Sequence, residues 1–410
     1  MNSPAQNPSR LSEALERHIH ALQSRKKHIP LAWRNATRDR KRLIQAAVGI
    51  GFAATLIFMQ LGLRNGFIES AMQIFYALDG DLFVVSSVRH PPSRNESFPR
   101  RRFYQAMSIP GVASVAPVYI TTEKANWTNP DVGSLHTIRV VAFDPDRPAL
   151  RLPGLEDMIR PLRQPNTVLM DNRARRLLGN APVGTETVLT GRQIEIVGTF
   201  PMGPNFEIDG TLMMSDRNYH KFFFAQTTAD STLNQIEFGV IKLASGIDAG
   251  AVKEALLRDL PGDIAVLTRE EIIDRERQHQ LAGTPVGPIF ALGTMIGFLV
   301  GMIIAYQIMF TDIADRRPQY ATLRAMGFGG RYLIGVVVRQ SAYFGLAGFM
   351  PALLVSVMLY ALVEDLILIP MAMALSVVAL TFALTVGMCV VAGLFAARGV
   401  FAADPAELFR

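Results

Sequence analysis

The sequence predicts an α-helical membrane protein with four transmembrane helices, plus an extracytoplasmic α/β domain carrying an inserted β-rich subdomain. Three observations predict it. First, the apolar residues are clustered: Leu43–Leu63, Leu281–Thr311, Gln340–Val363 and Leu366–Ala397 contain no charged residue. Each has the about 20 residues needed to cross a hydrocarbon core of about 30 Å. Second, the bases are placed asymmetrically around these stretches. Third, a segment of about 200 residues between the first two is long enough to bury a core of its own, and it reads as alternating strands and helices.

The bases set the orientation. Arg25, Lys26, Lys27, Arg34, Arg38, Arg40, Lys41 and Arg42 precede the first span, and Arg316, Arg317, Arg324 and Arg331 lie between the second and third. The turn before the fourth span has Glu364 and Asp365 and no base. Both termini and residues 312–339 are therefore expected in the cytoplasm, with 64–282 on the outer side of the membrane. The net charge of +6 and pI of about 9.5 then need no nucleic acid to explain them. Cys389, the only cysteine, falls in the fourth span, so the outer domain is expected to hold without a disulfide.

Residues 1–42 read as a cytoplasmic segment. Ser12–Ser24 has Leu11, Leu15, Ile19 and Leu22 at helical spacing nearby, and Ile29-Pro30-Leu31-Ala32-Trp33 leads into the basic cluster. This fits a helix lying in the membrane interface, or equally a basic flank that only sets topology. The first span, 43–63, is too long for the core of a cleavable signal. Beyond it, Phe67, Ala71, Ile74 and Leu78 keep helical spacing, which predicts a stalk over 64–80. Thr268 and Glu271 form a capping-box pattern, which predicts a second stalk over 268–282.

Between the stalks one order occurs twice. Asp81–Ser86 reads as a strand, Pro99–Ser108 as a helix and Ala113–Thr121 as a strand; Ile236–Leu243, a helix capped by Asp248, and Ile264–Leu267 repeat it. The two β-α-β pieces, about 81–122 and 236–267, are expected to pair as one subdomain. The β-rich part, about 123–235, is expected as an insertion, with a hairpin or bent strand pair over Val188–Val197 and a short helix stopped by Gly179.

The second span, 283–311, carries Gly293, Gly297 and Gly301. Two overlapping G-x-x-x-G patterns predict a packing or dimer seam, against the plainer fact that glycine is common in membrane helices. The third span, 340–363, has Gly345, Gly348 and Pro351, which predicts a kink. A turn over 364–367 leads to the fourth span, 368–397, and a cytoplasmic end, 398–410. No Asp, Glu or Lys falls within these spans, which argues against a proton-coupled carrier. No P-loop, zinc-protease or serine-hydrolase pattern occurs, and the seven histidines show no metal spacing. No catalytic, metal or cofactor site is expected in this chain.

The stretch Phe310–Gly330 is charged and expected to face water. Gln319–Met326 reads as a short helix with Tyr320, Leu323 and Met326 on one side and Arg324 on another, stopped by Gly327. It is either a solvated turn or a docking helix for a cytoplasmic partner.

These pieces resemble the FtsX/MacB-type permeases of ABC transporters, and within them the DevC branch of heterocyst-glycolipid-type exporters. The residues that carry the resemblance are Ile29-Pro30-Leu31-Ala32-Trp33, Phe58-Met59-Gln60-Leu61-Gly62, Ala305-Tyr306-Gln307-Ile308, Tyr320-Ala321-Thr322-Leu323-Arg324-Ala325-Met326-Gly327 and Ala402–Phe409. Pro318 and Gln319 stand where the family commonly has an acidic residue. The resemblance implies a homodimeric, non-catalytic permease in the inner membrane, whose outer domain is porter-like. ATP would be bound by a separate ABC ATPase subunit. A membrane-fusion adaptor and a TolC-like outer-membrane channel would complete an exporter for lipid, glycolipid or other periplasmic cargo. By position, Tyr320, Leu323, Arg324, Met326 and Gly327 would form the coupling helix, flanked by Arg316 and Arg317 pairing with acids of the ATPase. The rival expectation is an FtsX-like scaffold that regulates a cell-wall hydrolase without transport.

Overall fold

The computed structural model of the protein describes residues 39–87, 97–122, 124–224 and 235–401. The helix read over Ser12–Ser24, the Ile29–Trp33 segment and the Ala402–Phe409 ending lie outside the described residues. In chain order the helices are α1 (Arg40–Ala77), α2 (Arg101–Met107), α3 (Leu155–Leu162), α4 (Asp216–Phe223), α5 (Ala249–Asp259), α6 (Arg269–Gln278), α7 (Val286–Asp315), α8 (Arg317–Ala325), α9 (Gly330–Ile367) and α10 (Leu375–Phe401). The strands are β1 (Leu82–Ser86), β2 (Phe98–Pro99), β3 (Val112–Thr121), β4 (Asn126–Thr128), β5 (Leu135–Thr137), β6 (Arg139–Phe143), β7 (Thr167–Asp171), β8 (Glu186–Leu189), β9 (Arg192–Phe200), β10 (Thr211–Ser215), β11 (Gln235–Ile236), β12 (Phe238–Leu243) and β13 (Ile264–Thr268). Among the described residues α1, α7, α9 and α10 are long and apolar enough to cross a membrane.

Two boundaries differ from the sequence reading. Helix α9 begins at Gly330, not Gln340, because Arg331 and Arg339 end an apolar run without ending a helix. It also runs through Glu364 and Asp365, and the turn lies at 368–374. Leu368 takes a positive φ of 57° there. Pro370 disfavours a helical conformation at the residue before it, so the chain turns at an apolar site that hydropathy assigns to the span.

The chain forms two compact units, one of which comprises residues 57–295 and 355–378. Its centre is an eleven-stranded mixed sheet ordered β13-β1-β12-β3-β6-β10-β7-β9-β8-β4-β5. Strands β1, β6, β7 and β10 are buried along their whole length, as covered sheets require. Strand β8 does alternate, buried at Thr187 and Leu189 and exposed at Glu186 and Val188. It turns into β9 through Thr190 and Gly191, whose positive φ values of 49° and 76° suit a two-residue hairpin. At this end Trp127 is fully buried and donates its indole N–H to the Leu178 carbonyl (2.8 Å).

The strands of the two outer β-α-β pieces are neighbours: β1 pairs with both β12 and β13, and β12 pairs with β3, all antiparallel. Helices α2 and α5 share a core with these strands through Phe103, Val252 and Leu256. On another side of the sheet lies the second half of α1. Met72, Phe75 and Leu78 are buried against Phe83, Phe238 and Val240, so this stretch is packed into the domain and is not a bare stalk. Helix α6 opens with the capping box of Thr268 and Glu271.

Arg269 closes the C-terminus of α1. Its guanidinium donates to the carbonyls of Leu78 (2.7 Å) and Gly80 (3.0 Å), and it lies 5.6 Å from the centre of the Phe83 ring. Carbonyls at a helix end lack helical partners, and a cation is favoured there. Arg269→Ala should destabilise this unit by about 2 kcal/mol, the value of charge-assisted hydrogen bonds of this kind. A lower urea midpoint followed by Trp127 fluorescence is the expected readout.

The described part of the other unit comprises 39–56, 296–354 and 379–401. Ala46, Ile50 and Ala53 of α1 face Ala305, Met309, Phe344, Met388 and Ala392. Glycines set the approach. A Cβ on Gly348 would lie 2.6 Å from Ile50, and one on Gly51 would lie 3.1 Å from the Gly348 carbonyl. Small residues let membrane helices meet at backbone distance, and this is the use of Gly348; α9 continues through Pro351.

Candidate coupling site

The last turn of α7 carries Asp312, which is fully buried. It accepts from Arg42 Nη1 (3.1 Å), from Arg316 Nε (3.1 Å to Oδ1 and 3.2 Å to Oδ2) and from Gln340 Nε2 (2.6 Å). Arg42 also pairs with Asp315 and with Asp39 (3.3 Å). The first turn of α1, the end of α7 and the third turn of α9 thus share one buried carboxylate. Arg316 is the residue from which α8 begins.

Sequence reasoning placed Asp312 in a water-facing loop, and the structure corrects this. A signal was present: Gly297, Gly301, Ala305, Met309 and Asp312 recur at steps of four, four, four and three, and all are buried on one face of α7. A charge that continues a packed face has to be paired inside. Its partners Arg42 and Gln340 are distant in sequence, so no local pattern names them.

The glycine stripe is used within the chain. A Cβ on Gly301 would come 2.8 Å from Ala53 and 2.5 Å from the Met388 sulfur. In the other unit, a Cβ on Gly293 would meet the Gln60 side chain at 2.5 Å. Gly297 is buried. At Gly301 the space is filled by the chain's own Ala53 and Met388 side chains.

Helix α8 is short and tightly bounded. Pro318 sits in its first turn, where a missing N–H costs nothing. It ends as a Schellman motif: Phe328 N donates to the Leu323 carbonyl (3.1 Å) and Gly327 N to the Arg324 carbonyl (3.0 Å), with Gly327 at φ 86°. Tyr320 is buried in the helical core with Leu333 and Val337, and Leu323 packs at its edge. Burial pushes the Tyr320 phenol up to about 12, so it stays neutral. Arg324 is exposed and Met326 is 62% exposed.

Two expectations change in consequence. Tyr320 and Met326 do not share one docking face; Tyr320 anchors α8 and Met326 faces outward. Arg316 does not reach outward to a partner's acids; it is buried against Asp312. Arg317 is half-buried. Arg324 and Met326 stand exposed at the end of α8, whose start is tied to the Asp312 cluster through Arg316.

Residues 44–258 match the model of a MacB-like periplasmic core domain, and residues 290–405 match that of an FtsX-like permease C-terminal domain. The chain belongs to the MacB/FtsX-like ABC transporter permeases. Permeases of this family are generally non-catalytic and work with an ATPase partner. The periplasmic domain is the sheet unit, and α8 lies within the FtsX-like region. Among solved structures, the periplasmic region of MacB from Actinobacillus actinomycetemcomitans is similar at 11% identity, over 48% of this chain and 92% of that one, with a TM-score of 0.35. The extracellular domain of the ABC-type transporter YknZ from Gram-positive bacteria is similar at 13% identity, over 46% and 99%, with a TM-score of 0.31. A permease domain from Porphyromonas gingivalis is similar at 17% identity, over 46% and 87%, with a TM-score of 0.27. No curated protein matches the chain.

Proposed function

We propose that this permease is the membrane subunit of an ABC exporter in which a separate ATPase grips α8. The observation that carries this is the buried Arg42–Asp312–Arg316–Gln340 cluster. It ties α8 to α1, α7 and α9, so a push on Arg324 and Met326 is delivered to the helices and not absorbed by a loop. Both α1 and α7 continue from this unit as unbroken helices into the sequence of the periplasmic domain, which makes them the covalent routes for the motion. The cytoplasm is the side of α8 and of both termini. The cargo is a lipid, glycolipid or other periplasmic molecule handled by the periplasmic domain, as in the DevC branch. The working assembly is a homodimer with a membrane-fusion adaptor and a TolC-like channel.

The test replaces the exposed end alone. Arg324→Glu with Met326→Asp should reduce the ATPase that co-purifies with tagged permease at least tenfold, with insertion and thermal midpoint unchanged. Tyr320→Asp is unsuited, because it buries a charge in the core. Undiminished ATPase in the double variant sinks the coupling role. The proteins that co-purify with the unmodified chain decide the rest. An adaptor supports export; a murein hydrolase or its activator in its place supports the FtsX-like scaffold.

A further inference from the structure

Within the sheet unit, at the level where the charge-free run of α1 ends, there is a cleft of about 660 Å³. That is the volume range of sites for small organic ligands. One wall is α1 from Arg64 to Tyr76, and Arg277 of α6 forms part of another. A third comes from the irregular turn after α9, with Pro370 and Ala374. Leu281, on the short π-helical turn His279–Gly283, completes it.

The charges in the cleft do not balance. Glu69 is engaged: it accepts from the Tyr76 hydroxyl (3.0 Å) and faces Arg277 (3.5 Å), which also approaches Asp274 (3.7 Å). Arg64 has no acid paired with it among the described residues, and its Nε is buried without a hydrogen-bond partner. A buried donor on a cation is costly to leave unmade. Nine residues farther along α1, about 13.5 Å at 1.5 Å per residue, the Oε1 of Gln73 is a buried acceptor that also lacks a partner. Helix α1 therefore presents an unmatched cationic donor and, farther along, an unmatched acceptor, while Leu281, Pro370, Ala372 and Ala374 supply apolar lining.

We propose that this cleft binds the headgroup of an anionic phospholipid from the periplasmic leaflet. The phosphate accepts from Arg64, a headgroup hydroxyl donates to Gln73 Oε1, and the first acyl carbons lie against Leu281, Pro370 and Ala374. The depth fits: Arg64 follows Leu63, the last residue of the charge-free run, and so stands where headgroups begin. The site goes beyond the exporter reading and does not depend on it, since no residue of α8 takes part.

The test uses the full chain, delipidated in a neutral detergent. Its thermal midpoint is followed while phosphatidylglycerol, phosphatidylcholine or inorganic phosphate is added. Phosphatidylglycerol should raise the midpoint saturably, and the other two should not. Arg64→Gln and, separately, Gln73→Leu should each weaken the half-saturating concentration at least tenfold, while Arg64→Lys should retain part of the response. Gln73→Leu removes an unsatisfied acceptor and should fold even if Arg64→Gln does not. An equal response to phosphatidylcholine would mean only a lipid annulus, and a full response to inorganic phosphate would mean a free-anion site; either overturns the proposal. So would an unchanged phosphatidylglycerol response in Gln73→Leu. ATPase co-purification should be normal in all these variants, which separates this failure from that of the coupling role.

Discussion

Asp312→Ala should release α8 from the helical unit. The change removes the carboxylate that Arg42, Arg316 and Gln340 share, and removing one partner of a buried ionic cluster costs about 3–5 kcal/mol. The loss falls at the junction of α7 and α8, so local opening should precede global unfolding. Trypsin reports it, because Arg316 is buried in the folded chain and becomes a cleavage site once the cluster opens. When closing is fast, cleavage follows the population of the open form, and about 1.4 kcal/mol is already tenfold. Cutting after Arg316 should therefore rise well over tenfold in Asp312→Ala. Asp312→Asn keeps hydrogen-bonding atoms but loses the charge, and should fall between. A triple change of Arg42→Met, Asp312→Leu and Arg316→Leu removes the cleavage site itself and is read by its thermal midpoint, which should recover much of the stability lost in Asp312→Ala, because an apolar set of similar volume can replace a buried ion cluster. Cleavage in Asp312→Ala within twofold of the unmodified chain would show that the cluster does not hold α8.

What the sequence revealed was local in origin. The capping box of Thr268 and Glu271, the stop at Gly327 and the hairpin at Thr190–Gly191 depend on residues a few positions apart, and the structure has each. The apolar runs marked where helices can cross a membrane, but hydropathy does not mark where a helix ends, so α9 is longer than its apolar part. Distant partners were illegible. Nothing near Asp312 announces Arg42 or Gln340, and Tyr320 looked like a contact residue because a short amphipathic helix does not say which way its apolar side turns. Here that side turns toward Leu333 and Val337 of the same chain. The periodicity of α7 held the one usable clue, since the face that begins with glycines ends on Asp312.

Asp171→Ala is expected to have the largest effect in the periplasmic domain. Asp171 ends β7 and is buried, yet its carboxylate accepts three backbone N–H groups: Arg173 (3.0 Å), Met202 (3.0 Å) and Gly203 (2.8 Å). It thereby holds the turn that leaves β9 against the end of the parallel β7–β9 pair. It also balances Arg139, which is buried at the start of β6 and donates to Thr211 Oγ1 (2.8 and 3.0 Å) and to the Met202 sulfur (3.2 Å). Burial works against both charges: it pushes the Asp171 carboxyl up and brings Arg139 down to about 10, and each partly offsets the other's shift. Arg139 keeps its proton at neutral pH, so Asp171→Ala strands a buried cation together with three backbone donors. The combined cost is about 3–5 kcal/mol, a large share of the stability of a typical domain. Arg139→Leu alone should cost less, because the backbone donors still satisfy Asp171. The double change should cost less than the sum of the two, since the stranded cation is gone. Urea unfolding followed by Trp127 fluorescence measures all three, and the denaturant slope should stay constant if only stability changes. Additive single effects would mean that the two charges do not sense each other, and that Asp171 acts on the β9 turn alone.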